Sequence, residues 1–126
     1  MGAAEEKITE AELEVMEVLW RAEAPLTLAQ IKGALAEKNG ETVKTLLRRL
    51  CAKGAAGQEK GQVYSYHPLV SRDQVGCCRT RRLIDKLYAG SARQMVAALV
   101  EHRQLDAADL AQLRVLLDNL DREGGA

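Results

Sequence analysis

The stretch Asn39 to Lys53, NGETVKTLLRRLCAK, most narrows what this chain can become. Val43, Leu46, Leu47 and Leu50 recur at i, i+3, i+4 and i+7, which puts them on one stripe of a helix. The opposite side carries Thr45, Arg48 and Ala52, flanked by Lys44 and Arg49. It is basic, with short side chains between the arginines, so it can lie close against something anionic. Asn39 stands where an N-cap belongs and Gly54 where a helix C-terminus turns off. A helix precedes this one across a tight connection and a Gly-rich segment follows. The order predicts a helix-turn-helix with a wing.

Four S/T-x-x-E/Q signatures divide the rest: Thr9 with Glu12, Thr27 with Gln30, Ser71 with Gln74, and Ser91 with Gln94. In each, the hydroxyl can accept from the amide three residues on while the Glu or Gln reaches back. The first predicts a helix over about Glu10–Ala22, with Leu13, Met16, Leu19 and Trp20 inward; Pro25 breaks the chain after it. The second predicts a helix over Leu28–Lys38, with Ile31 and Leu35 inward. Between Gly54 and Pro68, Gly57 and Gly61 punctuate a β-prone run, Val63 to Tyr66, predicting a hairpin that turns at Lys60-Gly61 with both Tyr64 and Tyr66 in its core. Further helices are expected over Arg72–Ala89, stopping at Gly90, over Ala92–Glu101, and from Asp106 onward. The expected fold is therefore mainly α: a winged helix-turn-helix domain over residues 1–70 and a helical dimerisation region over 71–126.

The dimer is expected from the tail. Leu110, Leu113, Leu117 and Leu120 follow a/d spacing with Val115 and Leu116 beside them, too apolar for a lone solvated helix. With Leu83 and Leu87 they form the candidate subunit interface; packing within the same domain is the plainer alternative. Aromatic residues are only 3% of the chain and Phe is absent, so the core must come from aliphatic side chains, and a chain this short gains from burying more surface in a partner.

A formal net charge of zero conceals segregation. Residues 1–41 hold four Lys/Arg against nine Asp/Glu, net −5. Residues 42–86 hold ten against three, net +7, and residues 87–126 hold four against six, net −2. A basic middle between acidic ends is the pattern of a local phosphate-binding surface; an ordinary solvated face is the alternative. The start lacks a secretory pattern and no apolar run approaches the ~18–20 residues of a membrane span. Three cysteines without framework spacing suit a reducing cytoplasm. The expectation is a cytoplasmic protein with no membrane insertion.

Nothing here reads as an enzyme, a metal site or a cofactor site. His67 and His102 have no partner at useful spacing. Cys77 and Cys78 are helix neighbours about 100° apart, so they do not face each other; buried or half-buried structural thiols are the expectation, with a thiol-sensing role as the alternative. Cys51 borders the apolar face of its helix and is expected in the core.

ITEAELEVMEVLW, PLTLAQIKGAL, TVKTLLRRLCAKG and VYSYHPLVSRD, together with Tyr88-Ala89-Gly90-Ser91 and LRVLLD, resemble the penicillinase and methicillinase repressor family of bacterial transcription regulators. The resemblance covers nearly the whole chain. It implies a dimer that binds an inverted-repeat operator through an N-terminal winged helix-turn-helix, held together by C-terminal helices. It also implies a membrane sensor protease as partner, with cutting in the C-terminal region ending repression. The family's cut would fall at Ala98-Leu99, where this chain lacks the usual polar–aromatic pair. The family's frequent Trp-Ser-Pro opening of the recognition helix is replaced by Lys38-Asn39-Gly40, which keeps a cap and loses an aromatic. Copper-responsive relatives carry C-terminal Cys-x-Cys pairs, and this chain has no cysteine after Cys78.

On this reading helix 40–53 enters the major groove. Arg48 is placed for a guanine edge and Thr45 for a base methyl or polar edge. Lys44, Arg49, Lys53 and the wing's Lys60 are assigned to phosphates, which fix register without reading sequence. For Arg49 an ion pair with an acid of the first two helices is the competing role. A winged-helix protein-interaction module is the competing class, because one fold serves both; it would be expected to present apolar anchors on this helix face.

Overall fold

The computed structural model describes residues 7–124. Among them are six helices and a three-stranded antiparallel sheet: α1 (Glu10–Arg21), β1 (Leu26–Thr27), α2 (Leu28–Ala34), α3 (Gly40–Ala52), β2 (Ala56–Glu59), β3 (Ser65–Pro68), α4 (Arg72–Leu87), α5 (Ala92–Glu101) and α6 (Ala107–Gly124). The chain divides into two compact units, one ending at Arg81 and the other starting at Arg82, so α4 contributes to both. The mainly helical winged fold is the architecture expected.

The helix starts follow their caps. At Thr9, Thr27 and Ser71 the capping box closes in both directions, with bonds of 2.7–3.2 Å. At Ser91 only one half forms: the Gln94 amide donates to the hydroxyl at 3.2 Å, while the Ser91 amide donates to the Tyr88 carbonyl at 2.9 Å. A fourth reciprocal cap, Asp106 with Asp109, opens α6.

The core of the first unit lies between α1, α2 and α3. Val43, Leu46, Leu47 and Leu50 are buried, as the α3 stripe requires. The buried face of α1 is rotated from the expected one. It consists of Glu12, Val15, Met16 and Leu19, while Leu13 and Trp20 are only half-buried at its edge. The stripe begins with a carboxylate, which hydrophobic periodicity assigns to solvent. Val70 and Val75 join the same core, and the Trp20 indole N–H donates to the Val70 carbonyl at 2.9 Å. The beginning of α4 therefore completes the winged unit.

Two elements differ from expectation. The second helix ends at Ala34 rather than Lys38. Leu35 leaves helical geometry (φ −116°, ψ 47°) and stays buried, and the Lys38 amide closes a turn on its carbonyl at 2.9 Å. In the hairpin, Glu59 pairs with Ser65, so residues 60–64 form the loop and Val63 and Tyr64 are exposed in it rather than in the strand. Tyr66 alone packs against the core. The far edge of β3 pairs with β1, Leu26 opposite Tyr66 and Thr27 opposite Ser65, giving the order β1-β3-β2. This two-residue strand was not expected, because its only sequence mark is the gap between Pro25 and a capping Thr.

Beyond Arg81 the packing changes. Ile84 is buried, but no residue of α5 or α6 is. Ala89 (φ 52°) and Gly90 (φ 80°) end α4, two residues short of the expected end. Cys77 is exposed and Cys78 half-buried, so the expectation of a covered pair fails at Cys77.

Candidate nucleic-acid interface

Asn39 caps α3 through its side-chain oxygen, which accepts from the Glu41 amide at 2.8 Å. At the other end Gly54 adopts φ +80°, a conformation a residue with Cβ enters only with strain, and lets the chain leave toward the sheet. Between these ends the inner stripe is anchored and the outer side remains open. Lys44, Arg48 and Arg49 are exposed, and among the described residues none of the three is in an ion pair. Thr45 is half-buried and its hydroxyl donates to the Glu41 carbonyl at 3.0 Å, so that proton is used within the helix. Lys60 is exposed in the wing loop.

Lys53 has a different role from the one expected. Its ammonium is bonded to the Glu12 carboxylate and to the Lys7 carbonyl, and its side chain is only a quarter exposed. Glu12 is 1% exposed. Burial alone would raise its carboxyl. The Lys53 hydrogen bond, the Thr9 amide and the charges of Lys53 and Arg49 together hold it below the ordinary glutamate value. The pair ties the C-terminal end of α3 to the cap of α1. Arg49 adds its field to Glu12 without bonding to it.

Other basic residues of the middle segment are likewise committed to α1. Arg72 pairs with Glu17 and stacks over Trp20 at 5.2 Å, while Arg79 pairs with Glu10 and donates to the Ile8 carbonyl at 2.7 Å. Lys38, from the acidic first segment, also reaches α1, at Glu14 and 2.9 Å. Part of the segregated charge is thus cancelled within the winged unit. What remains on and beside the recognition face is Lys44, Arg48, Arg49 and Lys60.

Beside that face lies a cleft of about 710 Å³ between α3, the start of α2 and the wing. Lys44, Arg48 and Cys51 line it from α3, and Tyr64 and Tyr66 from the wing. Cys51 is half-buried and burial pushes its thiol above the ordinary value. Nothing in the sequence pattern marks the cleft, because it joins residues from three separate segments. In the wing, Gly57 leaves room for His67: a Cβ there would meet its Nε2 at 2.6 Å. His67 Nδ1 lies 3.1 Å from a Glu59 carboxylate oxygen, outside hydrogen-bonding geometry.

The sequence model of the penicillinase repressor family matches residues 8–119. The chain belongs to that family. Among its relatives is the penicillinase repressor of Bacillus licheniformis, 30% identical over 115 residues that span 89% of this chain and 90% of that protein. The methicillin resistance regulatory protein MecI of Staphylococcus aureus (strain N315) is 27% identical over 115 residues, spanning 89% and 94%. Among solved structures, a mutant of MepR from a multidrug-resistant S. aureus clinical isolate superposes with a TM-score of 0.51 at 20% identity, covering 98% of this chain and 88% of that one. That similarity concerns the fold alone. The family match embraces both units of this member, including the apolar helices past Arg81. Among the described residues no helix is long and apolar enough to cross a membrane, and no group of three or more His, Cys, Asp or Glu could hold a metal ion.

Proposed function

We infer that this family member is a DNA-binding transcriptional repressor whose α3 enters the major groove. One observation carries the reading: α3 buries Val43, Leu46, Leu47 and Leu50 while Lys44, Arg48 and Arg49 on the same helix stay exposed and outside any ion pair among the described residues. A protein-docking helix would use apolar anchors there. Arg48 reads a guanine edge and Thr45 offers its methyl and oxygen lone pairs to a base. Lys44, Arg49 and Lys60 hold phosphates.

Two copies joined through residues past Arg81 would read an inverted repeat. Leu83, Leu87, Leu113, Leu116, Leu117 and Leu120 are exposed and Leu110 half-buried, an apolar surface that a second copy would cover. Release follows cutting between Ala98 and Leu99 by a membrane sensor protease of the kind the family resemblance implies. Both residues are half-buried inside α5, and their carbonyls accept from the amides of His102 and Gln104 at 2.9 Å. A protease needs extended chain, so α5 must open locally before the cut.

The test is fluorescence anisotropy of the intact chain with an inverted-repeat duplex from its own promoter and with a scrambled duplex, across a salt series. Tight binding to the repeat, with log K falling linearly in log salt, is expected. Binding absent at low salt, or indifferent to salt, would exclude the reading.

A further inference from the structure

DNA contact, to a base by Arg48 and to phosphate by Lys44, accounts for the cations beside the cleft but not for the rest of its wall. Leu47, buried in α3, lines it together with Leu28 of α2, and Val63 and Tyr64 line it from the wing loop. Val63 is 64% exposed and Tyr64 48% exposed. A loop that only touched a phosphate backbone would have no use for two large apolar side chains beside an apolar wall. The charge is one-signed: Lys44 and Arg48 line the cleft and no Asp or Glu does. At about 710 Å³ it has the capacity of a small-molecule site and the usual make-up of one, mostly apolar with a few convergent polar groups. All of its walls belong to the first unit.

We propose that this cleft binds a small aromatic acid, its ring against Leu47, Val63 and Tyr64 and its carboxylate on Lys44 and Arg48, and that DNA and the acid exclude each other. The exclusion rests on the assignment of Lys44 and Arg48 to DNA; the binding of the acid does not. A planar body suits the tyrosine wall, and a carboxylate matches the guanidinium in charge and fork geometry. Occupied this way, the recognition helix would present neutralised cations to a duplex, a route to release that leaves the chain intact.

The experiment titrates the uniformly 15N-labelled intact chain with 2-naphthoate and, separately, with the uncharged 2-naphthalenemethanol, following amide shifts. Saturable shifts confined to residues around Lys44, Leu47, Cys51 and Tyr64 are expected for the acid. The alcohol should bind at least about tenfold more weakly, as loss of a charge-assisted bond implies. Lys44→Gln with Arg48→Gln should weaken the acid by about the same factor, and Tyr64→Ala, exposed and outside the core, should weaken acid and alcohol alike. No saturable shift at the cleft, equal affinity for the alcohol, or shifts mapping only to α5 and α6 would overturn the site. In parallel, 2-naphthoate is titrated into the chain bound to duplex. Competitive release supports the exclusion, and simultaneous binding of both overturns it. A chain that binds the acid at the cleft but never a duplex would leave the site standing and sink the DNA reading; a chain that binds duplex but no acid would do the reverse.

Discussion

The two units of this chain treat similar aliphatic side chains in opposite ways. Up to Arg81, leucines and valines close on one another: Val15, Val43 and Leu50 are wholly buried, and Val70 and Val75 are drawn in from the start of a fourth helix and the turn before it. Past Arg81, Leu116 is 59% exposed, Leu120 62%, and α5 and α6 bury nothing. Both regions carry helical periodicity and caps, so local propensity does not separate them. The difference lies in what each stripe meets. In the first unit three helices and a sheet converge, and the inner stripe of each helix has an opposite within one chain. In the second, apolar area is left uncovered, which is what a surface made for a second copy looks like. The roles proposed above, a reader of one half-site and a coupler of two copies, would call for these two kinds of packing.

The largest effect is expected from separating the two units. A fragment ending at Arg81 keeps Val70, Val75 and the Arg79 contacts, and should fold as a monomer. An end near Leu69, natural from the hairpin pattern, would remove them and cost the fold. The fragment ending at Arg81 should lose operator affinity by about 10²–10⁴-fold, because the second half-site is no longer held at high effective concentration. Sedimentation showing a dimer for it would move the interface into the winged unit and undo the contrast.

Matched truncations sharpen it. Leu50→Ala, in the closed core, should cost about 2–5 kcal/mol in urea unfolding through the cavity it leaves. Leu120→Ala should change the unfolding of dilute monomer by less than about 0.5 kcal/mol while raising the dimer dissociation constant. Equal costs under both conditions would mean that the second unit has a core of its own.

The buried ion pair gives a finer test of how the first unit is closed. Lys53→Met leaves Glu12 as a buried carboxylate without its cation and should cost about 2–4 kcal/mol. Glu12 is held below its ordinary value, so its contribution is complete above the unfolded glutamate range. It is lost as pH falls from that range through the lower folded value. Glu12→Gln should therefore flatten the fall in stability on acidification. An unchanged acid limb would show that Glu12 carries no such linkage.

The smallest expected effect separates reading from holding. Arg48→Ala should cost about 1–3 kcal/mol at the operator and relax preference at one position in each half-site. Lys44→Ala should weaken all duplexes alike and lower the salt slope by about one. Arg48→Ala behaving as a uniform phosphate contact would reassign the reading face.

Much of this was legible in the residues because it is local. A hydroxyl three positions before a Glu or Gln specifies a helix start whatever surrounds it, and three of the four boxes close as written. The bounds of α5 match those expected, and the α3 stripe is buried residue for residue. The misreadings that bear on the site are matters of long-range pairing. Glu12 lies on the inner face of α1 because Lys53, 41 positions away, neutralises it there. Val63 and Tyr64 stay out of the strand because β3 takes its register from Glu59 on one side and Thr27 on the other. The cleft exists because α2, α3 and the wing meet. Where helices begin, which of their faces are apolar and where positive charge collects can be read along the chain, since these depend on neighbours within a turn or two. Which cations are bound to acids and which stay open emerges on folding, because that depends on charges brought together from distant parts of the chain.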